Sequence, residues 1–373
     1  MQLNDLDTPA ALIDAPLMDA QIARMQDRIS SLGVRLRPHV KTAKCVEVAR
    51  RQQAAGGSGI TVSTLKEAQV FFEAGFHDIL YAVGIVPGKL AAVQALRAKG
   101  CDLKVVLDSV AAAQAVAAFG AAIPVMIEID TDQHRAGVPP EADALLEIGR
   151  VLHEGGAVLH GVMTHAGGSY ACDTPEALAA IAEQERAGCV RAAQRLREAG
   201  LPCPEVSVGS TPTALSARHL QGVTEVRAGV YVFQDLVMAN IGVCRVQDIA
   251  LSVLTTVIGH QADKGWVLVD AGWMAMSRDR GTQAQAVDYG YGAVCDAQGR
   301  LIEGLTMSAA NQEHGILSFA QGSAVGSLAE RFPIGTRLRI LPNHACATAA
   351  QFSDYAVADA QGKVQLWPRF GGW

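Results

Sequence analysis

The chain has 373 residues, 50% of them hydrophobic and 18% charged, with a formal net charge of -6. That length exceeds one ordinary core and predicts two domains, or a large barrel with an added module. The mildly acidic balance offers no electrostatic footprint for nucleic acid or an anionic membrane, so a small molecule is the expected partner.

In chain order, the opening MQLNDLDTPAALIDAP lacks the basic start and apolar core of a signal peptide. No later segment supplies about 18 uninterrupted apolar residues, and a cytoplasmic protein is expected. Short β-rich runs then alternate with Ala-rich helical stretches. Strands are expected at 34–40, 58–63, 78–83, 102–108, 123–130, 159–165, 205–210 and 225–231. Helices are expected at 43–54, 64–74, 88–99, 109–118, 141–154 and 174–199, several opened by Ser, Thr or Asp at a cap position. Eight strands, each followed by a helix, over about 200 residues have the spacing of a (β/α)8 barrel. An open, doubly wound sheet is the competing arrangement.

After residue 240 the texture changes to strand-like segments at 247–259, 265–270, 336–341 and 363–367, separated by Gly, Asp and Pro turns. The predicted domains are therefore a barrel over 15–240 and a β-rich domain over 241–373, joined by residues 1–14. Eight scattered cysteines without a CxxC pair indicate neither a disulfide framework nor a structural zinc cluster.

Barrels of this kind build their sites at the C-terminal ends of the strands. The first strand ends at His39-Val40-Lys41, where partial desolvation would suit a lysine as an imine-forming nucleophile; a rim lysine pairing with Glu47 is the plainer reading. Gly209-Ser210-Thr211-Pro212-Thr213 sets a glycine, hydroxyls and a proline at a helix start, leaving backbone N–H groups for a phosphate. Strand 8 ends on a second glycine turn at Gly229-Val230-Tyr231, and the loops after strands 7 and 8 are a common phosphate site. His165 fits either a planar cofactor or a satisfied core position, and Arg135 either an anionic ring oxygen or plain solvent. In the C-terminal part, His344 and Cys346 lie two apart, so in an extended segment they share one side and could bind one divalent ion.

The stretches RPHVKTAKC, EIDTDQHRAGV, THAGGSY, VGSTPT, EVRAGVYVFQD and LPNHACATAAQF together resemble the fold-type III pyridoxal-phosphate enzymes. Within that group they are similar to the branch of D-serine dehydratases, D-threonine aldolases and D-threo-3-hydroxyaspartate dehydratases, the last being nearest. The resemblance implies an alanine-racemase-like barrel with a C-terminal β-rich domain and a homodimer with active sites near the subunit interface. It implies that Lys41 carries the cofactor as a Schiff base and that Gly209, Ser210, Thr211, Gly229 and Val230 hold the phosphate. His165 and Tyr170 then border the cofactor, joined by Tyr231, and Arg135 lies near the ring hydroxyl. Arg227 stands where alanine racemases set an arginine against the pyridine nitrogen.

The same resemblance makes His344 and Cys346 metal ligands, and a thiolate favours zinc, with manganese or cobalt as alternatives. The implied reaction removes water from a D-3-hydroxy amino acid, D-threo-3-hydroxyaspartate or D-serine, to give a 2-oxo acid and ammonia. Lys41 would take the Cα proton while the metal activates the β-hydroxyl. Arg278, Arg280 and His314 are the cations available for a β-carboxylate. The alternatives are retro-aldol cleavage to glycine and an aldehyde, and a non-catalytic pyridoxal-phosphate-binding protein.

Overall fold

Short apolar runs punctuated by capped helices produce eight parallel strands in the computed structural model, which describes residues 1–320 and 327–373. They are β1 (Arg35–Pro38), β2 (Ile60–Val62), β3 (Asp78–Gly84), β4 (Asp102–Leu107), β5 (Pro124–Ile129), β6 (Val158–Thr164), β7 (Glu205–Val208) and β8 (Glu225–Ala228). Hydrogen bonding runs β1-β8-β7-β6-β5-β4-β3-β2, and a bridge between His39 and Thr61 joins the two ends. The sheet is thus a nearly closed barrel, and an open doubly wound arrangement is excluded. Thr64, Ser109 and Thr174 each accept a backbone N–H three residues on and start the helices Leu65–Glu73, Val110–Phe119 and Pro175–Glu198.

Alternation along each strand sends every second side chain inward. Leu80, Val106, Met126 and Met163 form one buried apolar cluster. Beside it runs a charged network: Arg37 meets Glu225 at 2.8 Å and Asp78 at 2.9 Å, and Lys104 meets Asp78 at 2.8 Å. Glu225 also accepts from Ser207 at 2.7 Å, so strands β1, β3, β4, β7 and β8 are tied together through side chains. Burial opposes ionisation of Glu225 and Asp78, yet the facing cations hold both carboxyls below their ordinary range. These elements make one compact unit, Ala23–Gly229 with Gly372–Trp373; the other comprises Met1–Ile22 and Val230–Gly371.

In the second unit nine described strands form a single sheet. Leu251–Gln261 pairs with both Arg337–Pro342 and Trp266–Val269, so six of the strands close into a ring. Val253, Val257, Val269, Leu317, Leu338 and Ile340 are among the residues filling it. Ala10–Asp14 pairs antiparallel with Leu251–Gln261 and parallel with Asp354–Ala358. Sequence patterning misses Leu301–Ala310, because only Leu305 and Met307 of its ten residues are buried and its alternation is correspondingly weak. Among the described residues no helix is long and apolar enough to cross a membrane.

Candidate active site

Arg37 in strand β1 and His39, which bridges Thr61 just beyond it, lie on one face, and the chain turns from Val40. Lys41 lies in that turn, and its side chain is exposed. The expectation of partial desolvation is therefore corrected: the strand ends at Pro38, two residues before its expected end, and does not enclose the amine. The plainer pairing with Glu47 also fails, since that carboxylate binds Arg50 at 2.7 Å.

Two histidines flank this turn. Burial, followed by the charges of Lys41 and Arg227, holds His39 well below the ordinary histidine value. Burial and the charge of Lys41 likewise bring His165 down to about 3, so both rings are neutral at physiological pH. The Nδ1 of His165 lies 3.2 Å from the Gly209 carbonyl. A neutral ring has one N–H; placed on Nδ1 it donates to that oxygen and leaves Nε2 as an acceptor. Tyr170 stands beside it, with ring centroids 6.1 Å apart.

The loop after β7 departs from expectation in one respect. Ser210 and Thr213 form a capping box, in which the Ser210 N–H donates to Thr213 Oγ1 at 2.9 Å and the Thr213 N–H to Ser210 Oγ at 3.2 Å. The row of unpaired amides expected at 209–213 is therefore partly consumed, because the two hydroxyl side chains satisfy the helix start themselves. Gly209 has φ +126°, and a Cβ there would sit 2.3 Å from the Arg227 carbonyl; one at Gly229 would sit 3.0 Å from the His39 carbonyl. Both loops consequently present bare main chain. Val230 and Tyr231, next in the chain, are buried and fold with the other unit.

Arg135 is exposed and reaches Glu128 at 3.4 Å. Arg227 is buried, donating through Nη1 to Ser207 Oγ and through Nη2 to the Thr164 carbonyl, so these two donors serve the barrel interior. Pyridoxal phosphate suits the chemistry of this rim on two observations. The Nδ1 of His39 is sealed from solvent with no hydrogen-bond partner among the described residues, close to a lysine amine. At Gly209 and Gly229 a Cβ would meet the main chain of Arg227 and His39, so both loops present backbone there with no side chain over it.

In the other unit, His344 caps the five-residue helix Ala345–Ala349, and Cys346 lies inside it. The expected extended segment is thus a helix start, and proximity arises from the first helical turn instead of strand alternation. The two side chains are hydrogen-bonded. His344 Nδ1 lies 2.7 Å from Asp279 Oδ2. Burial works against the imidazolium, but Asp279, Cys346 and Asp235 outweigh it and raise its pKa. An imidazole and a thiolate, with Nδ1 engaged behind, form a donor set that suits a divalent cation once the proton is displaced. Among the described residues no group of three or more His, Cys, Asp or Glu side chains is arranged to hold a metal. Arg278 stacks on Trp273, Arg280 binds Asp288 at 3.1 Å, and His314 is exposed.

Sequence reasoning passed over His39, Asp279 and Glu185. His39 was detectable by its spacing of two from Lys41. Asp279, 65 residues from His344, left no signal.

The alanine racemase N-terminal domain model matches residues 13–236, and the serine dehydratase domain model matches residues 250–358. The chain is 66% identical over 373 residues to D-threo-3-hydroxyaspartate dehydratase of Delftia sp. (strain HT23), covering 99% of this chain and 98% of that one. The solved structure of that enzyme matches with a TM-score of 0.99 over 100% of both chains. A cysteine-to-alanine variant of it in the metal-free form also scores 0.99, at 65% identity over 100% of both chains. D-serine dehydratase of Dictyostelium discoideum is 30% identical over 386 residues, 97% of this chain and 96% of that one. D-threonine aldolase from Filomicrobium marinum scores 0.83 at 27% identity, covering 99% and 96%.

Proposed function

This chain belongs to the alanine-racemase-like family of pyridoxal-phosphate enzymes that includes the D-serine and D-threo-3-hydroxyaspartate dehydratases, and we propose that D-threo-3-hydroxyaspartate is its substrate. It is a carbon–oxygen lyase acting on a D-3-hydroxy amino acid. The observation that carries the choice of substrate is 66% identity, along 99% of the chain, to an enzyme named for that compound. The aldol reading has the weaker support of 30% identity over 355 residues to a D-threonine aldolase of Arthrobacter sp.

In this reading Lys41 carries pyridoxal phosphate, the loops at Gly209, Ser210, Thr211, Gly229 and Val230 receive the phosphate, and His165, Tyr170 and Tyr231 border the ring. Arg135 serves the ring oxygen, and Arg227 supports the barrel wall beneath. His344 and Cys346 hold a divalent cation, zinc being favoured by the thiolate. When bound, the cofactor supplies an electron sink for charge at Cα, and the cation supplies Lewis acidity toward the β-hydroxyl.

The remaining chemistry falls to the chain's own groups. The Lys41 amine removes the Cα proton, and a single base on one side accounts for selectivity toward the D configuration. His39 and His165, neutral at physiological pH, add no positive charge beside that amine. The hydroxyl leaves Cβ with its bonding pair and, together with the proton taken from Cα, makes up the water lost; the released enamine hydrolyses to a 2-oxo acid and ammonia. A homodimeric, cytoplasmic enzyme is part of the same proposal, its assembly checked by light scattering. The deciding assay offers a panel of D-3-hydroxy amino acids and measures 2-oxo acid with ammonia against aldehyde with glycine. Stoichiometric glycine without ammonia would select the aldol reaction instead.

A further inference from the structure

The long helix Pro175–Glu198 buries Leu178, Ala182, Cys189, Ala192 and Leu196 along one stripe, and Glu185 occupies a position in that stripe, 2% exposed. A carboxylate in an apolar stripe is costly unless donors surround it. Here they do. One oxygen accepts the Ala166 N–H at 2.8 Å, and the Gly209 N–H and the Thr213 hydroxyl also face the group. Burial is the largest influence on it and raises its pKa, while these donors and the charge of Arg227 act the other way.

The three donors are not scattered. Ala166 follows His165 at the end of β6, whereas Gly209 belongs to the loop after β7 and Thr213 to the first turn of the helix Thr211–Ser216 that the loop opens. Gly209 is gripped from both sides, its amide facing Glu185 and its carbonyl facing His165 Nδ1 at 3.2 Å. Thr213, with its hydroxyl turned to Glu185, accepts the Ser210 N–H at 2.9 Å. A further tie between the loops runs from Ser169 Oγ to Ser210 Oγ at 3.0 Å, and Ser169 Oγ also donates to the Ala166 carbonyl at 2.8 Å.

We infer that Glu185 is a positioning residue for cofactor binding: its carboxylate joins the loop bearing His165 to the loop at Gly209-Ser210-Thr211 and holds the latter in the shape that receives the phosphate. The inference rests on the reading of this rim as the pyridoxal-phosphate site. Glu185 touches no cofactor atom in this role. Its effect passes through Gly209 and Thr213: without the carboxylate the Gly209 N–H loses its facing acceptor, the Thr213 hydroxyl is left with the Ser210 carbonyl at 3.4 Å, and the loop relaxes.

The test compares Glu185→Gln with the natural protein, titrating the cofactor-free form with pyridoxal 5'-phosphate and, separately, with pyridoxal, which lacks the phosphate. Glutamine matches the shape but turns one acceptor into a donor. The dissociation constant for pyridoxal 5'-phosphate should rise about tenfold or more, with a much smaller change for pyridoxal, because two of the three donors belong to the phosphate loop. Equal weakening of both ligands, or no change in either, would overturn the inference. Should Glu185→Gln not fold, Glu185→Asp keeps the charge and retracts it by one methylene, and the same phosphate-selective loss is expected. Failure of the natural protein to bind pyridoxal 5'-phosphate at all would instead remove the reading on which the inference stands.

Discussion

Asp279 Oδ2 and His344 Nδ1 lie 2.7 Å apart, and the loop that brings them together is itself anchored: Asn343 donates to the Asp279 carbonyl at 3.2 Å and to the Gly290 carbonyl at 2.8 Å. A carboxylate on Nδ1 fixes the ring orientation and leaves Nε2 for a cation. Asp279→Asn should weaken divalent-metal binding by about 10- to 100-fold, measured by competition with a chromophoric chelator, without changing cofactor content. Cys346→Ala, which takes away one of the two proposed ligands, should bind metal still more weakly and lose turnover while staying yellow with cofactor. An Asp279→Asn protein that holds metal as tightly as the natural one would show that the carboxylate has no such role.

Lys41 is exposed in the turn after β1, so replacing it should not disturb the core. Borohydride reduction of the cofactor-loaded protein should attach the pyridoxyl group to Lys41, located by peptide mapping. Lys41→Ala should abolish turnover and covalent labelling with a change in stability of about 0.5 kcal/mol or less. Label on another lysine would refute the assignment.

The buried histidines set a pH dependence. His165 has a folded value of about 3, against an ordinary value near 6.5, and His39 is lowered as well. The unfolded chain therefore binds protons that the folded chain refuses, so stability is present above about pH 6.5 and is lost as pH falls toward the folded values. Each histidine contributes a slope of up to about 1.4 kcal/mol per pH unit inside that window. Urea unfolding of the cofactor-free protein should show this decline already above the carboxylate range, and His165→Gln should make it shallower. An identical slope in the variant would contradict the assignment of buried, neutral imidazole.

Arg37 and Glu225 are 4% and 3% exposed and 2.8 Å apart. Removing one partner leaves a charge inside the barrel, so Glu225→Ala should destabilise by about 3 kcal/mol or more, read from denaturant midpoints. Exchanging Arg37 and Glu225 together for apolar residues of similar volume should recover part of that loss. If Glu225→Ala alone left the midpoint unchanged, the network would not be holding these strands together.

The barrel was legible because its signals are local. Most of the eight strand segments are short β-rich runs followed by a helical stretch, and Thr64, Ser109 and Thr174 announce helix starts through their own side chains. The β-rich unit was only half legible, since Leu301–Ala310 gains its form from neighbours on both sides more than from its own alternation. Lys41, Gly209, His344 and Cys346 stood out as motif residues. Glu185 was readable in principle, as a carboxylate at an apolar position of its helix, yet its partners were not.

By itself the sequence determined the period-2 and helical segments, the barrel they build, and the residue types available for an imine, a phosphate loop and a soft metal ligand. These follow from forces acting within a few residues along the chain. Only the tertiary structure decided that Lys41 is exposed, that Glu185 faces Gly209, and that Asp279 backs His344. These depend on burial and on hydrogen bonds between side chains far apart in sequence, such as the 65 residues separating Asp279 from His344, and no local pattern encodes such a meeting.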